Sequence, residues 1–272
     1  MSTNDHAWLG LSGARIAVVG AAGAIGAAVS TALRAAGAQV HGLDREPRAP
    51  GDGLFASWDA IDLDDVDGAV AALRRLTGRI GAPDGLVIAS GLYPARRFSE
   101  HPAAEVERLM RINALAPAAL LNAYADALGA PDAAAASDAP AAPAGGPGGS
   151  AVVTSSLAAS RLKIGTAAYS ASKAALDVLV QTLALERHVD GLRANIVAPG
   201  YVSAGSELNA IPGGYEEKLL SGALTPRLAV PDDLVDTYLW LLSPRSAWVN
   251  GAVVPVDGGN RLGTPESTAW LG

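Results

Sequence analysis

The sequence has no cysteine, so the chain forms no disulfide and has no thiol chemistry. This composition fits a reducing compartment. Histidine is also scarce, and no metal-ligand spacing joins the four histidines, His6, His41, His101 and His188. We therefore expect no metal site in this protein.

Positive charge is scarce as well, because the formal net charge is -7 and no basic run is present. Such a composition does not indicate a basic surface that would bind nucleic acid or an anionic membrane. The uncharged run 16–33 is long enough to suggest a membrane span, but it is rich in alanine and carries three glycines. The first fourteen residues have neither a basic leader nor an apolar core. We expect a cytoplasmic protein with a small-molecule partner, without nucleic acid or membrane contact.

What the sequence does contain is a regular alternation of short β-branched apolar runs and longer helical runs. This alternation predicts an α/β fold with a parallel sheet covered by helices on both faces. The predicted strands lie at 14–19, 38–43, 85–90, 150–155, 193–198 and 252–256, with a weaker candidate at 53–58. The predicted helices lie at about 24–36, 64–79, 103–128, 166–188 and 231–242.

One segment, 130–149, interrupts the alternation with alanine, proline and glycine. It has almost no large apolar side chain, so we interpret it as a flexible surface insertion. A domain linker is the alternative, but the strands on both sides are needed for one sheet, so we predict a single domain over 1–272. The matching pentapeptides at 6–10 and 268–272, HAWLG and TAWLG, indicate either chance or an oligomer surface.

A glycine-rich turn, GAAGAIG at 20–26, follows the first predicted strand and leads into a helix. Glycines at 20, 23 and 26 allow a tight turn, a close approach of the backbone to a pyrophosphate and close packing of helix on strand. No Gly-Lys-Ser/Thr follows, so the turn is not a P-loop. The position of the turn between strand and helix predicts a dinucleotide site.

An acidic residue, Asp44, closes the second predicted strand eighteen residues after Gly26. A carboxylate there accepts hydrogen bonds from the adenosine ribose and repels a 2′-phosphate. The neighbouring Arg45 is able to pair with that phosphate. The sequence therefore favours NAD and leaves NADP open.

The stretch YSASK, at 169–173, places Tyr169 and Lys173 one turn apart on a predicted helix. With six tyrosines and three lysines, composition alone predicts a Tyr-x-x-x-Lys pair only about 0.07 times. Ser156 stands thirteen residues before Tyr169, just past the strand 150–155. Ligands bind at such strand ends in an open parallel sheet, so we interpret this group as catalytic.

With these motifs in order, the sequence resembles the compact single-domain subgroup of the short-chain dehydrogenase/reductase family. The resemblance covers nearly the whole chain and includes Asn113, the APG turn at 198–200 and VDGG at 256–259. It implies a single-domain Rossmann fold with a doubly wound, mostly parallel seven-stranded sheet. It also implies an NAD(P)-dependent oxidoreductase that transfers a hydride between nicotinamide and a ketone or secondary alcohol.

The resemblance assigns four catalytic roles. Tyr169 is expected to be the general acid/base, and Lys173 is expected to lower the pKa of that phenol and to bind the nicotinamide ribose. Ser156 is expected to polarise the substrate oxygen. Asn113 is expected to anchor a water that links Lys173 to solvent. These roles suit the chemistry, because a free phenol has a pKa of about 10, too high for a base near neutrality.

The remaining assignments concern cofactor, substrate and assembly. The predicted cofactor residues are Gly20, Ala22, Gly23, Ala24, Ile25, Gly26, Asp44, Arg45, Asp59, Ala60, Ala89, Ser90, Gly91, Tyr169, Lys173, Pro199, Gly200 and Val202. The predicted substrate residues are Tyr93, Leu157, Tyr201 and Ser206, under a mobile lid at 203–225. Recognition of an acidic substrate group is the alternative to a partly apolar pocket, and the side chains available for it are Arg96, Arg97, Arg161 and Lys163. We expect a homodimer or homotetramer.

The chain departs from the family pattern at several cofactor positions. Val19 stands where the family usually has threonine, and Ala24 stands where it frequently has glycine. The sequence IASG at 88–91 replaces Asn-Asn-Ala-Gly. Ala204 replaces a threonine, with Ser203 and Ser206 as the candidate substitutes. None of these changes removes a proton-transfer group. Two alternatives therefore stand beside the dehydrogenase: a cofactor-binding regulatory or scaffolding protein, and a lyase or isomerase that uses NAD transiently.

Overall fold

The strands of the protein form one parallel sheet. The computed structural model describes residues 6–45, 53–129, 148–203, 217, 220, 224–225 and 227–262. Within these residues seven strands pair, each parallel to its neighbours. They are β1 (Arg15–Val19), β2 (Gln39–Asp44), β3 (Ser57–Ala60), β4 (Gly85–Ile88), β5 (Ser150–Thr154), β6 (Arg193–Pro199) and β7 (Val253–Val256).

The order of the strands across the sheet is β3-β2-β1-β4-β5-β6-β7. The chain therefore runs outward from β1 in one direction and then crosses back to begin again at β4. The helix that follows β1 and the helices that follow β4 pack on opposite faces of the sheet. In such folds ligands bind at the carboxyl edge, beside the point where the strand order reverses.

Helices cover both faces of the sheet, as the alternating pattern predicts. In the part of the chain that the structure describes, the α-helices are α1 (Ala24–Ala35), α2 (Val66–Ile80), α3 (Ala103–Met110), α4 (Ala116–Gly129), α5 (Ala167–Glu186) and α6 (Asp232–Leu242). One face of the sheet packs against α2, α4 and α5 through Leu73, Leu121 and Leu176, and the other packs against α1 and α6 through Leu33 and Leu239. The predicted doubly wound α/β fold is confirmed.

The weakest predicted strand, 53–58, lies four residues too early, because β3 spans Ser57–Ala60. This strand is at the edge of the sheet and pairs only with β2. A strand in that position tolerates polar residues, so an apolar pattern is a poor guide to its bounds. The Trp58 ring packs over Gly42 of β2, where a Cβ would lie 2.4 Å from the ring.

The single helix predicted at 103–128 is two helices, α3 and α4, joined by a wider π-helical turn at Arg111–Leu115. Such a turn inserts an extra residue into the helix and is often found at functional sites. Hydrophobic periodicity does not reveal it, because the helix direction continues through it. The turn carries Asn113, which is fully buried.

Several predicted features lie outside the described residues. These are most of the insertion at 130–149, most of the lid at 203–225, Ala204, the substrate candidate Ser206 and the pentapeptide at 268–272. The strands on either side of the insertion, β4 and β5, are adjacent in the sheet. In the described parts of the chain no helix is long and apolar enough to cross a membrane.

Candidate active site

The glycine-rich turn connects β1 to α1 at the carboxyl edge of the sheet. Gly20 has a φ of 82°, and Gly26 faces it so closely that a Cβ at Gly26 would lie 2.0 Å from the Gly20 carbonyl oxygen. Gly23 precedes the first residue of α1 and has no side chain to cap the helix. The first backbone N–H groups of α1 therefore remain available to an anion, which is the arrangement that binds phosphates. The predicted members of the turn, Gly20, Ala22, Gly23, Ala24, Ile25 and Gly26, lie together here.

Asp44 ends β2 beside this turn. Its Oδ2 accepts a hydrogen bond from the Ala22 backbone N at 2.9 Å, and its Oδ1 accepts one from the Arg45 N at 2.7 Å. The carboxylate is partly exposed and Arg45 is exposed. The predicted carboxylate thus lies next to the turn that resembles a pyrophosphate cradle.

The expected cofactor contact of the Asp59 side chain is not supported. Arg79 of α2 donates to both carboxylate oxygens of Asp59, at 3.0 and 2.5 Å. The Asp59 side chain is only 14% exposed, so its charge is already satisfied within the protein. Ala60 does lie at the carboxyl end of β3, opposite Asp44. The exposed carboxylate just beyond that end is Asp62. It was not among the predicted cofactor residues, because the predicted strand 53–58 ends too early to bring Asp62 to the carboxyl edge.

The loop after β4 is packed directly against the glycine turn. A Cβ at Gly20 would lie 2.9 Å from both the Ala89 carbonyl carbon and the Ser90 backbone N, so the two loops approach as closely as glycine allows. The Ser90 Oγ is buried without a hydrogen-bond partner. An unpaired buried hydroxyl beside the turn is consistent with a ligand that supplies the missing partner.

Asn113 fixes the next part of this loop. Its Oδ1 accepts from the Leu92 N at 2.8 Å, while its Nδ2 donates to the Leu92 O at 2.9 Å and to the Ser172 Oγ at 3.0 Å. The side chain therefore connects the π-helical turn, the β4 loop and α5. A Cβ at Gly91 would lie 3.3 Å from both the Asn113 Oδ1 and the Lys173 Nζ.

Lys173 is buried beneath the same loop and is 3% exposed. Its Nζ donates to the Thr154 carbonyl oxygen at the end of β5, at 2.9 Å. The Thr154 Oγ1 in turn shares a 2.6 Å hydrogen bond with the hydroxyl of the buried Tyr238 in α6. We refer to Asn113, Thr154 and Lys173 as the floor of the site.

Burial shifts the pKa of the floor lysine. Desolvation lowers the pKa of Lys173 to about 8, and the negative charge of Asp177 opposes that shift. Asp177 lies one helical turn after Lys173, on the same face of α5. Burial raises the pKa of Asp177, and its Oδ1 has no hydrogen-bond partner. The four-residue spacing of Tyr169, Lys173 and Asp177 is the sequence signal that places Asp177 on the same helix face as the other two.

Tyr169 lies in the first turn of α5 and faces Ser156 and Tyr93. The Tyr93 and Tyr169 rings meet edge to face, with centroids 4.5 Å apart and an interplanar angle of 78°. Ser156 begins the short 3-10 turn Leu157–Ala159 and accepts a hydrogen bond from the Ala158 N. The structure therefore brings Ser156, Tyr169 and Lys173 to one edge of the sheet, as predicted.

In the structure, burial outweighs the lowering that Lys173 is expected to exert on the pKa of Tyr169. Burial raises the pKa of Tyr169 to about 12, hydrogen bonding to Ser156 opposes the increase, and the charge of Asp177 adds to it. The cost of desolvating the phenolate is the dominant effect. The Lys173 ammonium is directed at the Thr154 carbonyl oxygen.

The remaining predicted residues lie along the same edge. Pro199 ends β6, and Gly200 packs closely on Asp257, whose Cα would be 3.0 Å from a Cβ at Gly200. Val202 forms an isolated bridge with Ala229. Leu157 is buried beside Ser156, and Tyr201 is partly exposed just beyond β6. In the described chain no cluster of three or more metal-ligating side chains occurs.

Comparison with known proteins is consistent with this geometry. A family model described as enoyl-(acyl carrier protein) reductase matches residues 20–261. Cis-4-hydroxycyclohexanecarboxylate dehydrogenase from Sinomonas cyclohexanicum is 32% identical over 258 residues, which cover 90% of this chain and 96% of the relative.

Two solved structures extend the comparison. A short chain dehydrogenase/reductase family protein is 28% identical with a TM-score of 0.75, covering 93% of this chain and 99% of its own. A gluconate 5-dehydrogenase from Burkholderia cenocepacia J2315, in complex with NADP and tartrate, is 25% identical with a TM-score of 0.80, covering 92% and 96%. With these matches across nearly its whole length, the chain belongs to the short-chain dehydrogenase/reductase family of oxidoreductases.

Proposed function

We propose that this protein interconverts a secondary alcohol and a ketone with NAD as the hydride carrier and Tyr169 as the general acid/base. The observation that carries the proposal is the convergence of Ser156, Tyr169, Lys173 and Asn113 beside a glycine turn that fits a pyrophosphate. When bound, the nicotinamide supplies or accepts the hydride, so the protein itself has to bind, orient and move one proton.

The proton is transferred at the phenolic oxygen of Tyr169. With a pKa of about 12 the phenol is protonated near neutrality and is ready to donate to a carbonyl oxygen. Ser156 faces the same point and holds the substrate oxygen by a hydrogen bond. In the oxidative direction the phenolate is required, and the positive charge of oxidised nicotinamide would favour it. Alcohol oxidation is therefore expected to be faster at alkaline pH.

The residues of the carboxyl edge fit the cofactor. The turn at 20–26 would hold the pyrophosphate at the start of α1, and Asp44 would hold the adenosine ribose. Asp62, two residues beyond the end of β3, would accept a hydrogen bond from the adenine amino group. Gly91 lies next to Lys173, which would bind the nicotinamide ribose. A side chain at position 91 would crowd that site, because its Cβ would lie 3.3 Å from the Lys173 Nζ.

The general acid/base assignment is tested by Tyr169→Phe, which removes only the hydroxyl. We expect kcat to fall by about 10²- to 10⁴-fold, the usual contribution of a positioned acid/base. NADH binding, followed by fluorescence, should be retained and serves as the control. Unchanged turnover would refute the assignment, whereas a wild type that binds NADH but turns over no alcohol or ketone would favour a cofactor-binding regulatory protein.

The cofactor preference is tested by comparing kcat/KM for NAD and NADP. We expect NAD to be preferred by at least about tenfold, because the Asp44 carboxylate hydrogen-bonds a ribose and repels a phosphate. Asp44→Ala should remove that preference, whereas Asp62→Asn should weaken both cofactors alike. A preference for NADP in the wild type, as in the solved gluconate 5-dehydrogenase complex, would contradict the proposal.

A secondary alcohol is the substrate class that the site and the relatives support. The cis-4-hydroxycyclohexanecarboxylate dehydrogenase acts, by its name, on a ring alcohol. Tyr93 packs edge to face on the Tyr169 ring. With Leu157 and Tyr201 it would give the approach to Tyr169 an aromatic and apolar surface, which suits a carbon skeleton next to the reacting oxygen. A screen of linear and cyclic alcohols and ketones, read as reduced-nicotinamide absorbance, defines the class.

We also propose that the protein assembles as a homodimer or homotetramer through α5. Val178 and Leu185 lie seven residues apart on one face of that helix and are 62% and 74% exposed. Exposed apolar side chains aligned on one helix mark an interaction surface. Sedimentation should show an oligomer, and Val178→Lys with Leu185→Lys should weaken it. A wild-type monomer would contradict the proposal.

A further inference from the structure

Two loops lie next to Tyr169, and we refer to them as the rim: residues 92–97 and 160–166. The loops are joined by a hydrogen bond from the Arg96 N to the Gly165 O at 2.9 Å. Tyr93 of the first loop contacts the Tyr169 ring. The second loop leads into the first turn of α5, which carries Tyr169. Side chains of the rim are therefore candidates to select the substrate.

Four cationic side chains on the rim are candidates for an acidic substrate group, and the structure separates them. The Arg96 Nη1 is paired with the Glu105 Oε2 at 3.1 Å. Arg161 donates to the Asn260 carbonyl oxygen and lies 3.4 Å from the Asn260 Oδ1. Arg97 is exposed, where water already solvates its charge. Arg96 thus already has a carboxylate and Arg97 is solvated, while Arg161, which also has no carboxylate among the described residues, is directed at Asn260.

Lys163 differs from the other three. Its Nζ donates to the Tyr201 hydroxyl and lies 4.0 Å from the centroid of that ring. In the part of the chain that the structure describes, no carboxylate lies within 4.0 Å of the ammonium. The side chain is partly buried, and desolvation followed by the charge of Arg161 lowers the pKa of Lys163. A partly desolvated ammonium with only neutral partners gains from a bound anion.

The backbone of Lys163 is fixed relative to the catalytic helix. The Thr166 hydroxyl accepts from the Lys163 N at 3.3 Å and donates to the Lys163 O at 2.9 Å. The Ser170 Oγ in the first turn of α5 donates to the same hydroxyl at 3.1 Å. Thr166 and Ser170 flank Tyr169 in sequence. These hydrogen bonds therefore connect the loop that carries the Lys163 ammonium to the first turn of α5, which carries the Tyr169 phenol.

We propose that Lys163, with the Tyr201 hydroxyl, binds a carboxylate of the substrate, so that the protein acts on a hydroxy acid or the corresponding keto acid. This inference rests on the proposed dehydrogenase function and specifies its substrate class. The acid's hydroxyl or carbonyl oxygen would lie at Ser156 and Tyr169 while its carboxylate lies at the rim. A single ammonium and a phenol match a carboxylate better than a doubly charged phosphate.

The experiment compares hydroxy acids with their methyl esters, which replace the negative charge by a neutral group with one additional methyl. We expect the wild type to prefer the acid in kcat/KM, for one linear and one cyclic pair at least. Lys163→Met should reduce kcat/KM for the acid by about 10- to 100-fold, because a hydrogen bond to a charged group is lost. The ester should change by less than about threefold, within the range of a surface substitution.

Two further variants separate charge recognition from structure. Lys163→Arg should retain part of the preference for the acid, since the positive charge is kept. Arg97→Met removes a neighbouring exposed charge and should leave the ratio unchanged. An equal loss for acid and ester in Lys163→Met, or a wild-type preference for the ester, would overturn the inference.

A binding measurement keeps this test separate from the proposed function. Calorimetric titration of the NADH-loaded protein with the acid, its ester and the corresponding phosphate ester requires no turnover. We expect the acid to bind more tightly than the ester and to lose that advantage in Lys163→Met. Equal binding of acid and ester would overturn the inference even if Tyr169-dependent turnover of neutral alcohols is observed. Tighter binding of the phosphate ester would overturn the carboxylate assignment.

Discussion

The floor and the rim of the active site are held in two different ways. On the floor, Asn113 and Lys173 are 0% and 3% exposed, and both are bound to backbone atoms of neighbouring loops and strands. On the rim, Arg96 and Lys163 are partly or fully exposed and are bound to the side chains of Glu105 and Tyr201. The same edge of one sheet thus carries a buried, backbone-anchored layer and a solvent-facing, side-chain-anchored layer.

This difference indicates how chemistry and selectivity are separated in the molecule. Every residue has a backbone carbonyl, so a contact to that group survives a side-chain substitution of the residue that carries it. The geometry of the floor therefore depends on the backbone fold more than on the side chains around it. A contact between two side chains is lost when either one changes. We therefore expect substitutions on the floor to cost stability as well as activity, and substitutions on the rim to change substrate preference alone.

The largest expected effect on stability comes from the floor charge of Lys173. Its pKa is about 8 in the folded protein and 10.5 in the reference state, so the unfolded chain binds more protons between these values. Relative to Lys173→Met, the wild type should gain stability as pH rises from 8 toward 10.5, by on the order of 3 kcal/mol in total. Denaturant unfolding of both proteins at several pH values measures this. A pH-independent difference would mean that the ammonium is not desolvated.

A smaller effect should follow from Asn113→Ala, which leaves the buried Leu92 N–H and C=O without their partner. We expect the free energy of unfolding to fall by about 1 to 3 kcal/mol, the cost of unsatisfied buried polar groups. Asn260→Ala provides the matched control at a partner of the rim residue Arg161, because the Asn260 backbone oxygen still accepts from Arg161. It should cost less than about 0.5 kcal/mol. Equal losses in the two variants would remove the distinction between floor and rim.

The smallest effect should come from the rim ion pair of Glu105. Its Oε2 lies 3.1 Å from the Arg96 Nη1 and 3.0 Å from the His101 Nδ1. Glu105→Gln keeps the shape and removes the charge, and partly exposed pairs contribute at most about 1 kcal/mol. We expect a small change in unfolding free energy and unchanged kcat/KM for a neutral alcohol. A loss as large as that of Asn113→Ala would show that the rim is also structural.

The contrast also explains which residues were predictable from sequence. Gly20 was predictable because a pyrophosphate site requires glycines at a fixed spacing between a strand and a helix. Tyr169 and Lys173 were predictable because the proton transfer requires a phenol and an ammonium one turn apart on one helix face. Asp177 belongs to that same spacing and was overlooked. The pairing of Asp59 with Arg79 was not predictable, because an edge strand has no clear apolar pattern and the register of β3 decides which acid faces Arg79.

The sequence by itself determined the alternating strands and helices, the glycine turn and the pairing of Tyr169 with Lys173, because these depend on local spacing along the chain. Only the tertiary structure decided the direction of the Tyr169 pKa, since desolvation depends on everything that surrounds the phenol. It also decided what the rim cations contact: among the described residues Arg96 pairs with a carboxylate, whereas Arg161 contacts Asn260 and Lys163 contacts Tyr201. Arg96, Arg161 and Lys163 carry the same charge in the sequence, and distant residues such as Glu105, Asn260 and Tyr201 determine what that charge contacts.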